Sequence, residues 1–228
     1  MTRPLLAFIA TFSLMACTPT EPPAVAAASA ETQRAIERTG LIRRNDTPYT
    51  LWGPAVKVGD MAPVGTLRDN DNKPFSVNFA DGTVRAVLMV PSLDTPTCSL
   101  ETRTFNGRAS DLGESVEVFV ISRDLPAAQA RFCGAMGIDR IITLSDFDDG
   151  GFGESWGLMV KETRLLARAV GVVDGSGRIT YLEIVENIPD EPDYDKAIAA
   201  LAELVPPSPA AESDGEAADD ESEPSPDE

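Results

Sequence analysis

The chain has 228 residues, 43% of them hydrophobic, enough for one full-sized core with extensions. Its formal net charge is −18 and it contains no histidine. It therefore repels nucleic-acid backbones and anionic membrane surfaces, and it lacks Ser-His and Cys-His nucleophile pairs, imidazole zinc ligands and imidazole acid–base chemistry.

At the N-terminus, Arg3 precedes an apolar run over 5–15 and the pair Ala16-Cys17, the layout of an export signal. The run is too short to span a bilayer as a helix. Residues 14–17 (LMAC) resemble a bacterial lipobox, in which the cysteine becomes the lipidated first residue of the mature protein. An ordinary cleaved signal with Cys17 merely near the cut is the alternative. The expectation is an exported, periplasmic protein anchored to a membrane through lipid on Cys17. Residues 18–30 (TPTEPPAVAAASA) read as a tether extending to 46, with a short polar helix over 31–39. At the other end, 206–228 holds nine acidic residues and no Lys or Arg, so that tail is expected to stay disordered.

Between them, 47–205 reads as one domain. Residues 49–52 and 55–58 flank Gly53-Pro54 and suggest a hairpin, and 64–68 with 74–77 suggest another. Strands and helices then alternate: strand 84–90 (VRAVLMV), a helix from Pro96, strand 116–121, helix 126–136 and strand 141–144. Segments 169–173 and 178–185 bracket Asp174-Gly175-Ser176-Gly177, a hairpin signal, and a last helix covers 193–204. This order implies an α/β fold with a mixed central sheet flanked by helices on both faces, the shape of the thioredoxin-like fold.

The chemistry concentrates at 91–98 (PSLDTPTC), where the apolar strand opens into a helix. Thr95 suits the N-cap and Pro96 the first helical position, which places Cys98 third, among unpaired N–H groups at the positive end of the helix dipole. That environment favours a thiolate. A small buried cysteine near a strand end is the bland alternative. Of the three cysteines, Cys98 and Cys133 remain once Cys17 is spent on processing, and a structural bridge between them is what spacing alone favours. Cys133 lies on helix 126–136 just beside an apolar stripe of Leu125, Ala128, Phe132 and Met136. Three patches carry no function. Residues 146–150 (DFDDG) lack the glutamate of a calcium loop, Gly150–Gly153 lack phosphate-loop spacing, and Asn45-Asp46-Thr47 fits a glycosylation pattern out of place in such a chain. No Cys-x-x-Cys is present.

Several separated blocks, namely 91–98, 122–146 (SRDLPAAQARFCGAMGIDRIITLSD), 161–174 (KETRLLARAVGVVD) and 190–201 (DEPDYDKAIAAL), resemble the bacterial thiol peroxidases, which are atypical two-cysteine peroxiredoxins. The resemblance runs in order from about 47 to 204. It implies a thioredoxin-like fold with an extra N-terminal β-hairpin, usually as a homodimer. It implies a peroxidatic Cys98 with Thr95 and Pro91 completing its signature, Arg168 facing the thiolate, and Cys133 as the resolving cysteine of the same chain. Arg103 or Arg164 could stand in for Arg168 on the residues alone. The implied substrates are hydrogen peroxide and organic hydroperoxides, and a thioredoxin-like dithiol reduces the resulting disulfide. No metal or organic cofactor is implied, and no nucleic acid. The lipobox, tether and acidic tail depart from ordinary members.

Overall fold

The computed structural model describes residues 36–111 and 115–205. The expected leader, the tether up to 35 and the acidic tail lie outside the described residues. Ten strands and four helices follow in this order: β1 Glu37–Arg44, β2 Thr47–Trp52, β3 Gly65–Arg68, β4 Pro74–Val77, β5 Val84–Met89, α1 Pro96–Asp111, β6 Val116–Ser122, α2 Pro126–Met136, β7 Ile142–Ser145, α3 Gly151–Ser155, β8 Met159–Val160, β9 Ala169–Val173, β10 Ile179–Ile184 and α4 Tyr194–Ala202.

β5 is central because every one of its residues is buried, which only a strand covered on both faces and both edges allows. β6 pairs parallel to it from Val84↔Val116 to Met89↔Ile121, and β7 pairs parallel to β6. β9 lies antiparallel on the other edge of β5. The whole sheet has seven strands in the order β10-β9-β5-β6-β7-β3-β4. Alternation along the strands sends their side chains into two cores. Ala86, Leu88, Val118, Val120, Val170 and Val172 pack with Phe105 of α1, Phe132 of α2 and Leu201 of α4. Val87, Met89, Phe119 and Ile121 face the opposite way, against Phe79, Phe152 and Trp156 and the hairpin residues Ile42 and Leu51. Trp156 and Trp52 are both core residues.

The strands and helices read from the sequence between 64 and 204 are present within a residue or two. The N-terminal hairpin is not where the pattern put it. β2 pairs with β1, not with 55–58, and the turn is Asn45-Asp46, with Asn45 in the left-handed region at φ 55°. The span read as tether and polar helix thus contributes strand from Glu37 onward. Its composition misleads because β1 is an edge strand with one well-buried side chain, Ile42, among exposed charges. Gly53-Pro54 turns the chain away instead. A Cβ at Gly53 would sit 1.9 Å from the Glu154 carbonyl oxygen, so only glycine fits there. The short elements β8 and α3 carry too little periodicity to be read; β8 completes a three-stranded sheet beside β2.

The helix α2 is rotated from its expected setting. Leu125 and Met136, assigned to its packed stripe, are 59% and 46% exposed, and the buried residues are Pro126, Gln129 and Phe132. Gln129 explains the rotation: its amide nitrogen donates to Ser122 Oγ at 2.9 Å and to the Leu144 carbonyl at 3.0 Å. An amide nitrogen with two acceptors lets this polar side chain face the sheet, although its amide oxygen has no partner there. The turn that results carries Cys133 inward.

Candidate active site

The site stands at the end of β5, where the fully buried strand gives way to 90–95 and then to α1. Pro91 and Leu93 are buried, and the loop between strand and helix is pinned from the segment just after β6. Asp124 accepts from Ser92 Oγ at 2.7 Å, from Leu93 N at 2.8 Å and from Ser122 Oγ at 2.8 Å. Its own carbonyl accepts from Ser145 Oγ at 2.5 Å. One carboxylate thus fixes the path by which Cys98 is delivered.

Thr95 precedes the helix and its carbonyl accepts from Ser99 N at 2.9 Å. Its hydroxyl does not cap the helix as expected. It donates to the Ser92 carbonyl at 3.0 Å, because the Ser92–Thr95 turn brings that oxygen beside it. Thr97 Oγ1 donates to the Pro189 carbonyl at 3.1 Å and ties the helix start to the loop after β10. Pro91 lines a cavity of about 50 Å³ with Arg44 and Tyr49 of the hairpin, closed by Leu166 and Ile188.

Cys98 is wholly buried, with no surface exposed, and its sulfur meets Arg168. Arg168 Nη2 donates to Cys98 Sγ at 3.4 Å, Nε donates to the Ile188 carbonyl at 3.0 Å, and Nη1 donates to Glu101 Oε2. The other two arginines left open by the sequence are elsewhere. Arg103 is exposed on α1 and bonds the Ser99 carbonyl, while Arg164 lies over the Trp52 ring at 4.1 Å. Only a planar guanidinium can serve three partners in three directions from one rigid fork.

Glu101 is the residue that sequence reading missed. It and Arg168 are almost completely buried, so each is the other's charge compensation. Burial pushes the Glu101 carboxyl up to about 7, against the charge and hydrogen bond of Arg168, which pull it down. Burial alone pulls Arg168 down, but Glu101 and the Cys98 sulfur outweigh that and hold the guanidinium above its ordinary value. A signal was present: Cys98, Glu101, Thr102 and Phe105 are spaced i, i+3, i+4, i+7, the buried stripe of α1. Two polar residues within that stripe disguise it.

Cys133 is half-buried on the last turns of α2, against the same core cluster that contains Cys98. Both cysteines are free thiols. The two therefore share a core but sit on separate helices, and no structural bridge joins them.

The redoxin family profile matches residues 57–198. The thiol peroxidase of Bacillus subtilis is 48% identical over 158 residues, covering 69% of this chain and 94% of that protein. The chain belongs to the thiol peroxidases. The thiol peroxidase of Halalkalibacterium halodurans is 46% identical over 153 residues, covering 67% of this peroxidase and 92% of its relative. Among solved structures, a peroxiredoxin-like protein from Aquifex aeolicus superposes with a TM-score of 0.69 at 37% identity, over 74% of this chain and 98% of that one. A thiol peroxidase from Chromobacterium violaceum gives 0.64 at 21% identity, over 71% and 95% of the two chains, and speaks for the shared fold. The peroxidase thus has the thioredoxin-like fold of the peroxiredoxins, and thiol-dependent peroxide reduction is its activity. Among the described residues no cluster of His, Cys, Asp or Glu could hold a metal.

Proposed function

We propose that this thiol peroxidase reduces hydrogen peroxide and organic hydroperoxides through Cys98, and the contact between Arg168 Nη2 and Cys98 Sγ is the observation that carries the assignment. The Cys98 thiolate attacks one peroxide oxygen, the O–O bond breaks, and water or an alcohol leaves after taking a proton. Cys98 is left as a sulfenic acid. The guanidinium lies where negative charge spreads from sulfur onto the two oxygens, and a charge-assisted donor in a buried site is worth most there. The Thr95 hydroxyl joins by turning from the Ser92 carbonyl toward the incoming peroxide. Pro91, with no N–H of its own, walls the site without competing for the sulfur.

Cys133 then condenses with the sulfenic acid, and a thioredoxin-like dithiol reduces the bridge by exchange. Since Cys98 and Cys133 stand on different helices, part of α1 or α2 unwinds first, and Gly134, Ala135 and Gly137 ease that at the end of α2. Rapid mixing of the reduced protein with hydrogen peroxide tests the scheme. Wild type consumes peroxide repeatedly with a dithiol present, Cys98→Ser consumes none, and Cys133→Ser reacts once and stalls as a sulfenic acid. Equal consumption by Cys98→Ser and wild type would sink the assignment.

We also propose that the protein is a homodimer, as the family resemblance implies, and that it is exported and held at a membrane by lipid on Cys17, as Arg3, the apolar run and the lipobox-like LMAC suggest. In cells that process lipoproteins, the wild type is expected in the membrane fraction and Cys17→Ser in the soluble one. Identical fractionation of the two removes the anchor.

A further inference from the structure

Cys133 does not simply rest on the sheet. Its sulfur lies 3.3 Å from Thr143 Oγ1, on β7. Thr143 Oγ1 in turn donates to Asn70 Oδ1 at 3.0 Å, and Asn70 Nδ2 returns to the sulfur at 3.9 Å. Asn70 belongs to the turn between β3 and β4, so three distant parts of the chain close one ring. The hydroxyl has a single proton and it goes to Asn70. Thr143 therefore meets the sulfur as an acceptor, and the ring is complete when Cys133 supplies an S–H. Thr143 is 3% exposed, so the contact is shielded from water on the sheet side.

The helix that carries the thiol has a weak end. The Cys133 carbonyl accepts from Gly137 N and, at 3.1 Å, from Ile138 N, with Gly137 in the left-handed conformation at φ 64°. Cys133 is thus the residue on which the closing turn of α2 hangs. Beyond it, Gly134, Ala135 and Met136 are exposed and contribute little packing. Such a turn frays readily unless a side chain holds it. Gln129 pins the first half of α2, and the ring is what pins the second.

We propose that Asn70 and Thr143 form a seat for the resolving thiol, which holds Cys133 back until Cys98 is oxidised and so sets the lifetime of the sulfenic acid. This rests on the reading of Cys98 and Cys133 given above. They are positioning residues, since neither reaches the reacting oxygen. In the step they govern, the Cys133 sulfur leaves the seat and attacks the Cys98 sulfur. The S–S bond forms as the S–OH bond breaks, and the departing hydroxide combines with the proton of the Cys133 thiol to give water. The sulfenic sulfur is reduced and the thiol oxidised, and no further reagent enters. Emptying the seat removes a restraint on that step alone.

The experiment separates the two phases in the full chain. Reduced protein is mixed with one equivalent of hydrogen peroxide, quenched in acid at set times and alkylated, and sulfenic acid and disulfide are counted by mass spectrometry. Thr143→Val and Asn70→Ala are expected to speed the conversion of sulfenic acid to disulfide about threefold to tenfold, the range corresponding to one lost hydrogen bond. The first phase, peroxide attack at Cys98, stays at the wild-type rate. Thr143→Ser, which keeps the hydroxyl, restores wild-type condensation, and a merely structural defect would show no such rescue. If Thr143→Val does not fold, Asn70→Ala, at a half-exposed turn, decides. Condensation in both variants at or below the wild-type rate overturns the seat. A wild-type protein that fails already in the first phase overturns the peroxidatic reading instead, and the seat with it.

Discussion

Arg168→Met is expected to lower the rate constant for hydrogen peroxide by about 100-fold to 1000-fold, the usual consequence of removing one preorganised donor from a developing oxyanion. It also strips Glu101 of its partner. A carboxylate with no exposed surface and no counter-charge costs about 3–5 kcal/mol of folding stability. The two effects come apart in a second variant. Arg168→Met combined with Glu101→Gln carries neither buried charge, so most of the stability returns while the rate stays low. Urea unfolding and stopped-flow kinetics on the same samples read both. If the double variant regains the peroxide rate along with its stability, Arg168 acts only by holding the fold.

Asp124→Ala should cost about 2–4 kcal/mol and slow peroxide attack about tenfold. The carboxylate is the acceptor for Ser92 Oγ, Leu93 N and Ser122 Oγ, and each buried donor left unmatched costs about 1–3 kcal/mol. The kinetic loss follows because Leu93 and Ser92 lie on the segment that delivers Cys98 beneath Arg168, and misplacement by a fraction of an ångström weakens the thiol's alignment with its donor. Asp124→Asn retains one acceptor oxygen and falls between. A fully active Asp124→Ala protein with a lowered unfolding midpoint would confine Asp124 to stability.

Much of this site was legible because its signals are local. A strand that is apolar apart from Arg85, a proline, a threonine and a proline at the helix start place Cys98 without any tertiary knowledge. The rest depends on contacts between distant residues. Glu101 hides because a carboxylate on a helix normally reads as a solvated face, and only the Arg168 fork makes it a buried one. The rotation of α2 hides because Gln129, polar by type, is the residue that faces the sheet. Asn70 and Thr143 reach Cys133 from 63 and 10 residues away, separations at which no spacing rule operates. β1 hides for the opposite reason: an edge strand with charges on both sides of Ile42 has the composition of a linker.

The hairpin is joined to more than its own sheet. Arg43 N donates to the Glu186 carbonyl at 2.7 Å, the Arg43 carbonyl accepts from Ile188 N at 2.9 Å, and Asn45 N donates to Asn187 Oδ1 at 2.8 Å. Ile188 is the residue whose carbonyl steers Arg168. A line of force therefore runs from Ile36 along β1, across to 186–188 and into the guanidinium over Cys98. Tension applied through the chain ahead of Ile36 passes Ile42, the one core residue of β1, and then enters that line at Arg43. Ile36 and the Cys98 sulfur are thus joined by a chain of hydrogen bonds and backbone although they are 62 residues apart in the sequence.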